Sequence, residues 1–280
     1  MSELNRPHRA AAVQVIQQGS GPDVLLLAGL AEGSAAWERP ARSLAGDFRL
    51  TRYDGRGPAG LTAPGPHRLR GLVDDAVAAL DLSGVERAHI VGASLGGVVA
   101  QQLALAHPER VRTLTLVSTW ARADRALRAL FSTWRAAAEQ ARSVGDLLHI
   151  AYSSTHSTAA WNDRDVDGRI AAVQAAAGHD ERAAWRGARE AFIWTLWAAE
   201  DHDTRTLLAA VDAPALVVAG EQDRLLSPAH GRELSELLPR ASLSVIAGAG
   251  HRPFDDQPEA FDRLLGDFLR SSDRRLALAA

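Results

Sequence analysis

The stretch HIVGASLGG at residues 89–97 joins an apolar, β-branched run to a segment, 98–107, that contains no glycine or proline. This order predicts a strand, a sharp turn and a helix. Gly92 and Gly96 lie two residues before and two residues after Ser94, where so tight a turn leaves no room for a side chain. We therefore predict that Ser94 lies at the apex, with its hydroxyl at the N-terminus of the helix, where free N–H groups favour negative charge.

Composition excludes several classes of partner. The chain of 280 residues carries a formal net charge of -3, and its basic residues are dispersed arginines without any lysine, so no basic surface for nucleic acid or anionic lipid is expected. The absence of cysteine excludes disulfides, thiolate metal sites and a cysteine nucleophile. No segment resembles a signal peptide or a membrane span. We expect a cytoplasmic, soluble protein that binds neither nucleic acid nor membrane.

Buried strands alternate with helices along most of the chain. Because strands joined by helical crossovers run parallel, this order predicts an α/β fold with a doubly wound, mostly parallel sheet. Ser34 is predicted to cap a helix, and the tail from Arg274 is expected to be loose. The strands are predicted at 13–18, 24–28, 48–53, 88–93, 111–118, 215–219 and 242–247, and the helices at 34–45, 68–82, 98–107, 228–238 and 257–270.

The region from about 121 to 208 differs from the rest, because it contains no strand-like run. Six of the seven tryptophans lie at or beyond position 120, and apolar residues, Ile170 and Val173 among them, recur there at helical spacing. We predict an all-helical lid at 121–208, inserted into a core formed by 1–120 and 209–280. The lid should lie over the carboxyl ends of the strands, where open α/β sheets bind ligands. Its histidines, among them His202, could line its lower face.

Residues 55–60 contain a formal Gly-x-Gly-x-x-Gly match. A dinucleotide site requires such a loop to open directly into a helix, but Pro58, Pro64 and Pro66 keep this segment irregular. We therefore predict no dinucleotide cofactor and, in the absence of other motifs, no cofactor or metal at all.

A serine hydroxyl needs a base within hydrogen-bond reach, and the base needs an acid to orient it. His251 is the best candidate for the base, because it lies between a predicted strand and the last helix, on a loop at the carboxyl edge. Asp223 follows the strand at 215–219 on the same edge and is the predicted acid, with Glu221 as the alternative. Asp255 and Asp256 are interpreted as the N-terminal acids of the last helix.

The turn around Ser94, the loop DGRGPAG at 54–60 and the order Ser94, Asp223, His251 together resemble the α/β-hydrolase family. The resemblance implies that these three residues form a Ser-Asp-His triad. It also implies an oxyanion hole made by the backbone N–H groups of Leu95 and Leu30. The family usually has His-Gly before the second donor, whereas this chain has Ala28-Gly29, with a tryptophan, Trp37, in the expected place further on.

Three functions are compatible with these residues. The first is hydrolysis of a carboxylic ester or lactone, as in the branch of the family that contains enol-lactonases and polyketide methylesterases. The second is a C–C bond hydrolase or a cofactor-free perhydrolase of the haloperoxidase type, and the third is a ligand-binding or cyclising protein with little hydrolysis. A serine at the apex argues against haloalkane dehalogenases and epoxide hydrolases, which use aspartate there.

The tryptophans of the predicted lid suggest a small-molecule substrate with an apolar or aromatic acyl part, since aromatic side chains dominate buried contact area. An alternative is that they only pack the lid on the core. The residues predicted to line the pocket are Trp120, Trp134, Trp194 and Trp197.

Overall fold

A sheet of seven strands forms the centre of the protein. The computed structural model describes residues 13–56, 68–155 and 181–279. The strand order is β1-β3-β2-β4-β5-β6-β7, in which β1 is antiparallel to β3 and every other neighbouring pair is parallel. The strands are β1 (Gln14–Gln18), β2 (Asp23–Leu27), β3 (Arg49–Asp54), β4 (Ala88–Ala93), β5 (Val111–Val117), β6 (Ala215–Gly220) and β7 (Ala241–Ile246).

Helices connect the strands, as the alternating pattern predicts. Three short 3-10 helices lie at 34–37, 108–110 and 208–210. No helix of the described ranges is both long and apolar enough to cross a membrane. The α-helices are α1 (Glu38–Leu44), α2 (Leu69–Leu82), α3 (Leu95–Ala106), α4 (Arg125–Gln140), α5 (Val144–Thr155), α6 (Glu181–Glu200), α7 (Pro228–Leu237), α8 (Pro253–Asp256) and α9 (Pro258–Ala279).

The two faces of the sheet are covered by separate hydrophobic clusters. One cluster includes residues of α2, α3 and α7, and the other includes residues of α1 and α9. Every residue of β4 and β6 is buried, because these strands have neighbours on both sides and helices on both faces. The edge strand β7 is only partly buried. This arrangement confirms the predicted doubly wound sheet.

The structure corrects three details of the prediction. Ser34 does not cap a helix: it begins the 3-10 helix at 34–37, and its N–H and hydroxyl donate to the two carboxylate oxygens of Asp54, at 2.7 and 2.9 Å. The last helix continues through the tail to Ala279, since Asp273 ties it to Arg112 and the following residues favour helix. The separate helix α8 precedes it, so that the acids of α8 do not lie at the start of α9.

The loop after β3 is described only as far as Arg56. The guanidinium of Arg56 donates through Nε and Nη2 to the two carboxylate oxygens of Asp75, both at 2.8 Å. Because Asp75 is almost fully buried in α2, this bidentate pair attaches the loop to that helix. The remainder of the Gly-x-Gly-x-x-Gly match, with its prolines, lies outside the described residues.

Helices occupy the described part of the segment between β5 and β6. These helices are α4, α5 and α6. The only strand-type pairing among the described residues of this segment is an isolated bridge between Arg122 and Asp203. The N–H of Thr204 donates to the carbonyl of Ala121 at 3.0 Å, so that the two ends of the segment lie side by side, close to the predicted bounds. The predicted helical positions at 170 and 173 lie outside the described residues, and the division into core and lid stays a prediction.

A buried polar network attaches the end of this segment to α3. The carboxamide oxygen of Gln101 lies 3.3 Å from Nε2 of His202 and accepts a hydrogen bond of 2.7 Å from the Thr204 hydroxyl. The Gln101 nitrogen donates to the carbonyls of Gly97 and Trp120. His202 is therefore part of a structural network, and it is not among the described residues that line the cavity beside Ser94.

We expect this network to make stability depend on pH. Burial lowers the pKa of His202 from 6.5 to about 4, and the nearby Asp203 only partly offsets that effect. The unfolded chain therefore binds a proton as pH falls through 6.5, while the folded chain does so only near pH 4. This group should lower the free energy of unfolding by about 3 kcal/mol between pH 7 and pH 4. Urea unfolding between pH 4 and pH 7 measures how the free energy of unfolding changes with pH. In His202→Gln, this change should correspond to about one proton fewer taken up on unfolding than in the wild type, and an unchanged pH dependence would contradict the assignment.

Candidate active site

Ser94 lies at the apex of a tight turn between β4 and α3. Its backbone has φ +52° and ψ −119°, a conformation that a non-glycine residue adopts only when its surroundings enforce it. A Cβ on Gly92 would lie 2.2 Å from the carbonyl oxygen of Gly96, and one on Gly96 would lie 2.2 Å from that of Leu27. The Thr119 hydroxyl donates to the Ser94 carbonyl at 2.7 Å and holds the turn from the side of β5.

The loops after β6 and β7 bring Asp223 and His251 together. Nδ1 of the His251 imidazole lies 2.8 Å from Oδ2 of Asp223, and both side chains are buried. The other carboxylate oxygen of Asp223 accepts hydrogen bonds from the N–H groups of Leu225 and Leu226, both at 2.9 Å. These bonds fix the carboxylate, which in turn orients the imidazole and favours a proton on Nδ1.

Nε2 of His251 is buried and has no hydrogen-bond partner in the described part of the chain. Ser94 and His251 line the same cavity, although no hydrogen bond joins them in this structure. Hydrogen bonds between catalytic groups often form only with substrate present, so this arrangement is compatible with a serine and its base.

The alternative acid has another partner. Oε2 of Glu221 accepts a hydrogen bond of 2.9 Å from the N–H of Gly248, on the exposed turn after β7. Asp256 accepts one of 2.8 Å from the N–H of Gly250, which supports the loop that carries His251. Of the two predicted acids, it is therefore Asp223 that the structure pairs with the histidine.

The two predicted oxyanion donors border the same cavity. Leu30 and Leu95 both line it, and neither backbone N–H has an acceptor among the described residues. The loop that carries Leu30 is closed by Glu32, whose Oε2 accepts a hydrogen bond of 3.1 Å from the N–H of Gly29. Glu32 is not among the residues predicted from the sequence, because the family motif at this loop contains a histidine and no carboxylate.

The lining of the cavity is mainly apolar. Leu127, Phe131 and Trp134 line it from one face of α4, at the i, i+4 and i+7 spacing that the sequence already shows. The only charged or titratable residues among the described lining residues are Glu32, His251 and Arg252. The described residues contain no group of three His, Cys, Asp or Glu side chains that could hold a metal ion.

The predicted tryptophans divide into two groups. Trp120 and Trp134 line the cavity, whereas Trp194 and Trp197 are not among its described lining residues. Trp197 is 51% exposed, and the guanidinium of Arg135 lies 3.7 Å from the centre of its ring. Helical spacing alone does not predict which face of α6 is directed at the cavity. Among the described residues of α6, Ala199 lines the cavity.

Comparison with known proteins agrees with this fold. The family model for the alpha/beta hydrolase fold matches residues 22–258. The chain belongs to the α/β-hydrolase family. It is 29% identical over 258 residues to a protein of Azorhizobium caulinodans that is named carbamate hydrolase RutD, covering 91% of this chain and 94% of the relative. It is 28% identical over 246 residues to 3-oxoadipate enol-lactonase 2 of Acinetobacter baylyi, covering 88% of this chain and 87% of the relative.

Among solved structures, that of a hydrolase from Pseudomonas aeruginosa superposes with a TM-score of 0.80 at 28% identity, covering 92% of this chain and 94% of the other. This chain matches these relatives over nearly their whole length, and their names are those of hydrolases or of a lactonase. This α/β-hydrolase is accordingly a hydrolytic enzyme.

The turn makes a prediction about stability. Gly96→Ala would place a Cβ against backbone oxygen atoms that cannot move aside, whereas Gly46→Ala would place one in open space. We expect Gly96→Ala to lower the free energy of unfolding by about 3 kcal/mol or more. Gly46→Ala, as the matched control, should leave it within about 0.5 kcal/mol. Urea denaturation of the two variants measures both values, and equal stabilities would show that α3 does not approach β2 this closely.

Proposed function

We propose that this α/β-hydrolase cleaves a carboxylic ester or lactone with an apolar acyl part, through an acyl-enzyme on Ser94. The observation that carries the proposal is the buried pair formed by Asp223 and His251, with a 2.8 Å contact, at a cavity that Ser94 also lines. A serine hydroxyl becomes an effective nucleophile when such an oriented imidazole can take its proton.

The proposed reaction has two halves. In the first, Oγ of Ser94 attacks the substrate carbonyl while Nε2 of His251 takes the hydroxyl proton. The imidazolium, stabilised by Asp223, then returns that proton to the departing alkoxide oxygen, and the acyl group remains on Ser94. In the second half, a water molecule gives a proton to Nε2 and attacks the acyl carbonyl. The imidazolium then returns this proton to Oγ of Ser94 as the acyl–oxygen bond breaks, which releases the carboxylic acid and restores the serine. A lactone would open into one hydroxy acid.

The backbone N–H groups of Leu30 and Leu95 are the proposed oxyanion hole. Leu30 and Leu95 line the cavity that Ser94 also lines, and neither N–H has an acceptor among the described residues, which leaves both available to donate to an oxyanion. Loss of one such donor typically costs about 3 kcal/mol, or a hundredfold or more in rate. Because the donors are backbone groups, they do not depend on the side chain at Ala28.

The cavity and the relatives support the choice of substrate class. A cavity lined by leucine and aromatic side chains suits an apolar acyl group. The similarity to a 3-oxoadipate enol-lactonase supports lactones within that class. In this proposal, helices α4, α5 and α6 form a lid at 121–208, and residues such as Trp134 cover the acyl group.

Carbamate hydrolysis is a second candidate, which the similarity to the protein named carbamate hydrolase RutD favours. The same serine could attack a carbamoyl carbonyl. The apolar lining of the cavity favours the apolar acyl groups of esters and lactones over the small, polar carbamoyl group. A series of p-nitrophenyl esters from acetate to octanoate, beside p-nitrophenyl carbamate, tests the choice: kcat/KM should rise with acyl length, and the carbamate should be the poorer substrate. A preference for the carbamate would reverse the order of the two candidates.

The proposed acid is tested by two carboxamide variants. Asp223→Asn should lower kcat for p-nitrophenyl butyrate by roughly 10³- to 10⁴-fold, because it disturbs the tautomer of His251. Glu221→Gln, the matched control on the same loop, should change kcat less than about twofold, since its carboxylate binds the turn at Gly248. If Glu221→Gln removed turnover and Asp223→Asn left it unchanged, the assignment of the acid would be wrong.

A further inference from the structure

A buried ion pair joins the two loops that border the proposed reaction centre. Nη1 of Arg252 contacts Oε1 of Glu32, and the two side chains are only 5% and 11% exposed. Glu32 lies on the loop after β2, which carries Leu30, and Arg252 directly follows His251. Both charged residues line the same cavity as Ser94. The ion pair therefore connects the loop of a proposed oxyanion donor to the loop of the proposed base.

Each partner is also held by further contacts. While one carboxylate oxygen of Glu32 meets Arg252, the other accepts the N–H of Gly29 at 3.1 Å. Nε of Arg252 donates to Asp255 at 2.7 Å, and its guanidinium carbon lies 4.8 Å from the centre of the Phe254 ring. A planar guanidinium that is fixed at two edges and one face has little freedom to move.

Stability alone gives little reason to place this pair in a buried site. Removing two charges from water costs several kcal/mol, and their attraction often only balances that cost. A role in substrate recognition is also poorly supported, because Arg252 already faces the carboxylates of Glu32 and Asp255. What the pair does provide is a fixed distance between two loops that must act on the same carbonyl group.

We propose that Glu32 and Arg252 are positioning residues, which hold the backbone N–H of Leu30 in register with His251. The proposal rests on the proposed function, because register matters only if an oxyanion forms between these loops. In this proposal, the carboxylate of Glu32 fixes a loop in which Ala28 replaces the usual histidine. A misplacement of about 1 Å at such a site can cost a hundredfold in rate.

The kinetic test uses isosteric and truncated variants. Glu32→Gln keeps an oxygen for the N–H of Gly29 but loses the charge that Arg252 requires, so kcat for p-nitrophenyl butyrate should fall about tenfold, while KM changes less than twofold. Glu32→Ala should lower kcat about a hundredfold. Asp23→Asn is the matched control, because it breaks an arginine ion pair with Arg49 at the other end of β2, and it should leave both parameters unchanged.

A double variant shows whether the two residues act together. Once Arg252→Gln has removed the arginine, the charge of Glu32 has lost its partner and its loss should do no further harm. Glu32→Gln combined with Arg252→Gln should therefore be no slower than Arg252→Gln alone. Independent losses that multiply would overturn the proposal, as would a melting temperature that falls while the kcat of the folded enzyme stays unchanged.

Hydrogen exchange supplies a readout that does not depend on turnover. In Glu32→Ala, the hydrogen-bonded backbone amides of Gly29 and residue 32 should exchange about tenfold faster than in the wild type, because the carboxylate no longer closes the loop, and in Asp23→Asn they should not change. Unchanged exchange in Glu32→Ala would overturn the positioning role. A wild-type enzyme that hydrolyses no ester, with exchange responding as described, would instead count against the proposed function and leave the loop contact established.

Discussion

The close approach of α3 to the backbone of β2 and β4 determines where every other group of the site must lie. Gly92 and Gly96 permit that approach, since a side chain at either position would overlap a carbonyl oxygen. The result is a serine with φ +52° at the start of a buried helix, directed at the carboxyl edge of the sheet. Because the six strands β2 to β7 all run in parallel, the loops that follow β2, β6 and β7 converge on this one residue.

Convergence alone does not orient a side chain, and the structure supplies polar contacts for that purpose. One carboxylate oxygen of Asp223 accepts hydrogen bonds from two backbone N–H groups, and the other contacts His251. In the loop after β2, the N–H and hydroxyl of Ser34 donate to Asp54, and the carboxylate of Glu32 accepts a hydrogen bond from the N–H of Gly29. Most of these groups are buried, so that each contact also satisfies a polar atom that would otherwise lack water.

Much of this could be predicted from the sequence, because it depends on local pattern. The turn around Ser94, the succession of strands and helices along the chain and the loop positions of Asp223 and His251 follow from apolar runs, glycine spacing and chain order. Contacts between distant segments could not be predicted in this way. The pairing of Glu32 with Arg252, and the exposure of Trp197 on α6, depend on how whole loops and helices face one another, which no single segment encodes.

The central claim is that Ser94 is an activated nucleophile beside a formed oxyanion site. Incubation of the folded protein with a fluorophosphonate probe, followed by intact mass measurement and peptide mapping, tests it most directly, because the probe requires both features. The account predicts a single adduct, located on Ser94, that is absent from Ser94→Ala and strongly slowed in Asp223→Asn. An unlabelled wild-type protein, or an adduct that persists in Ser94→Ala, would contradict it.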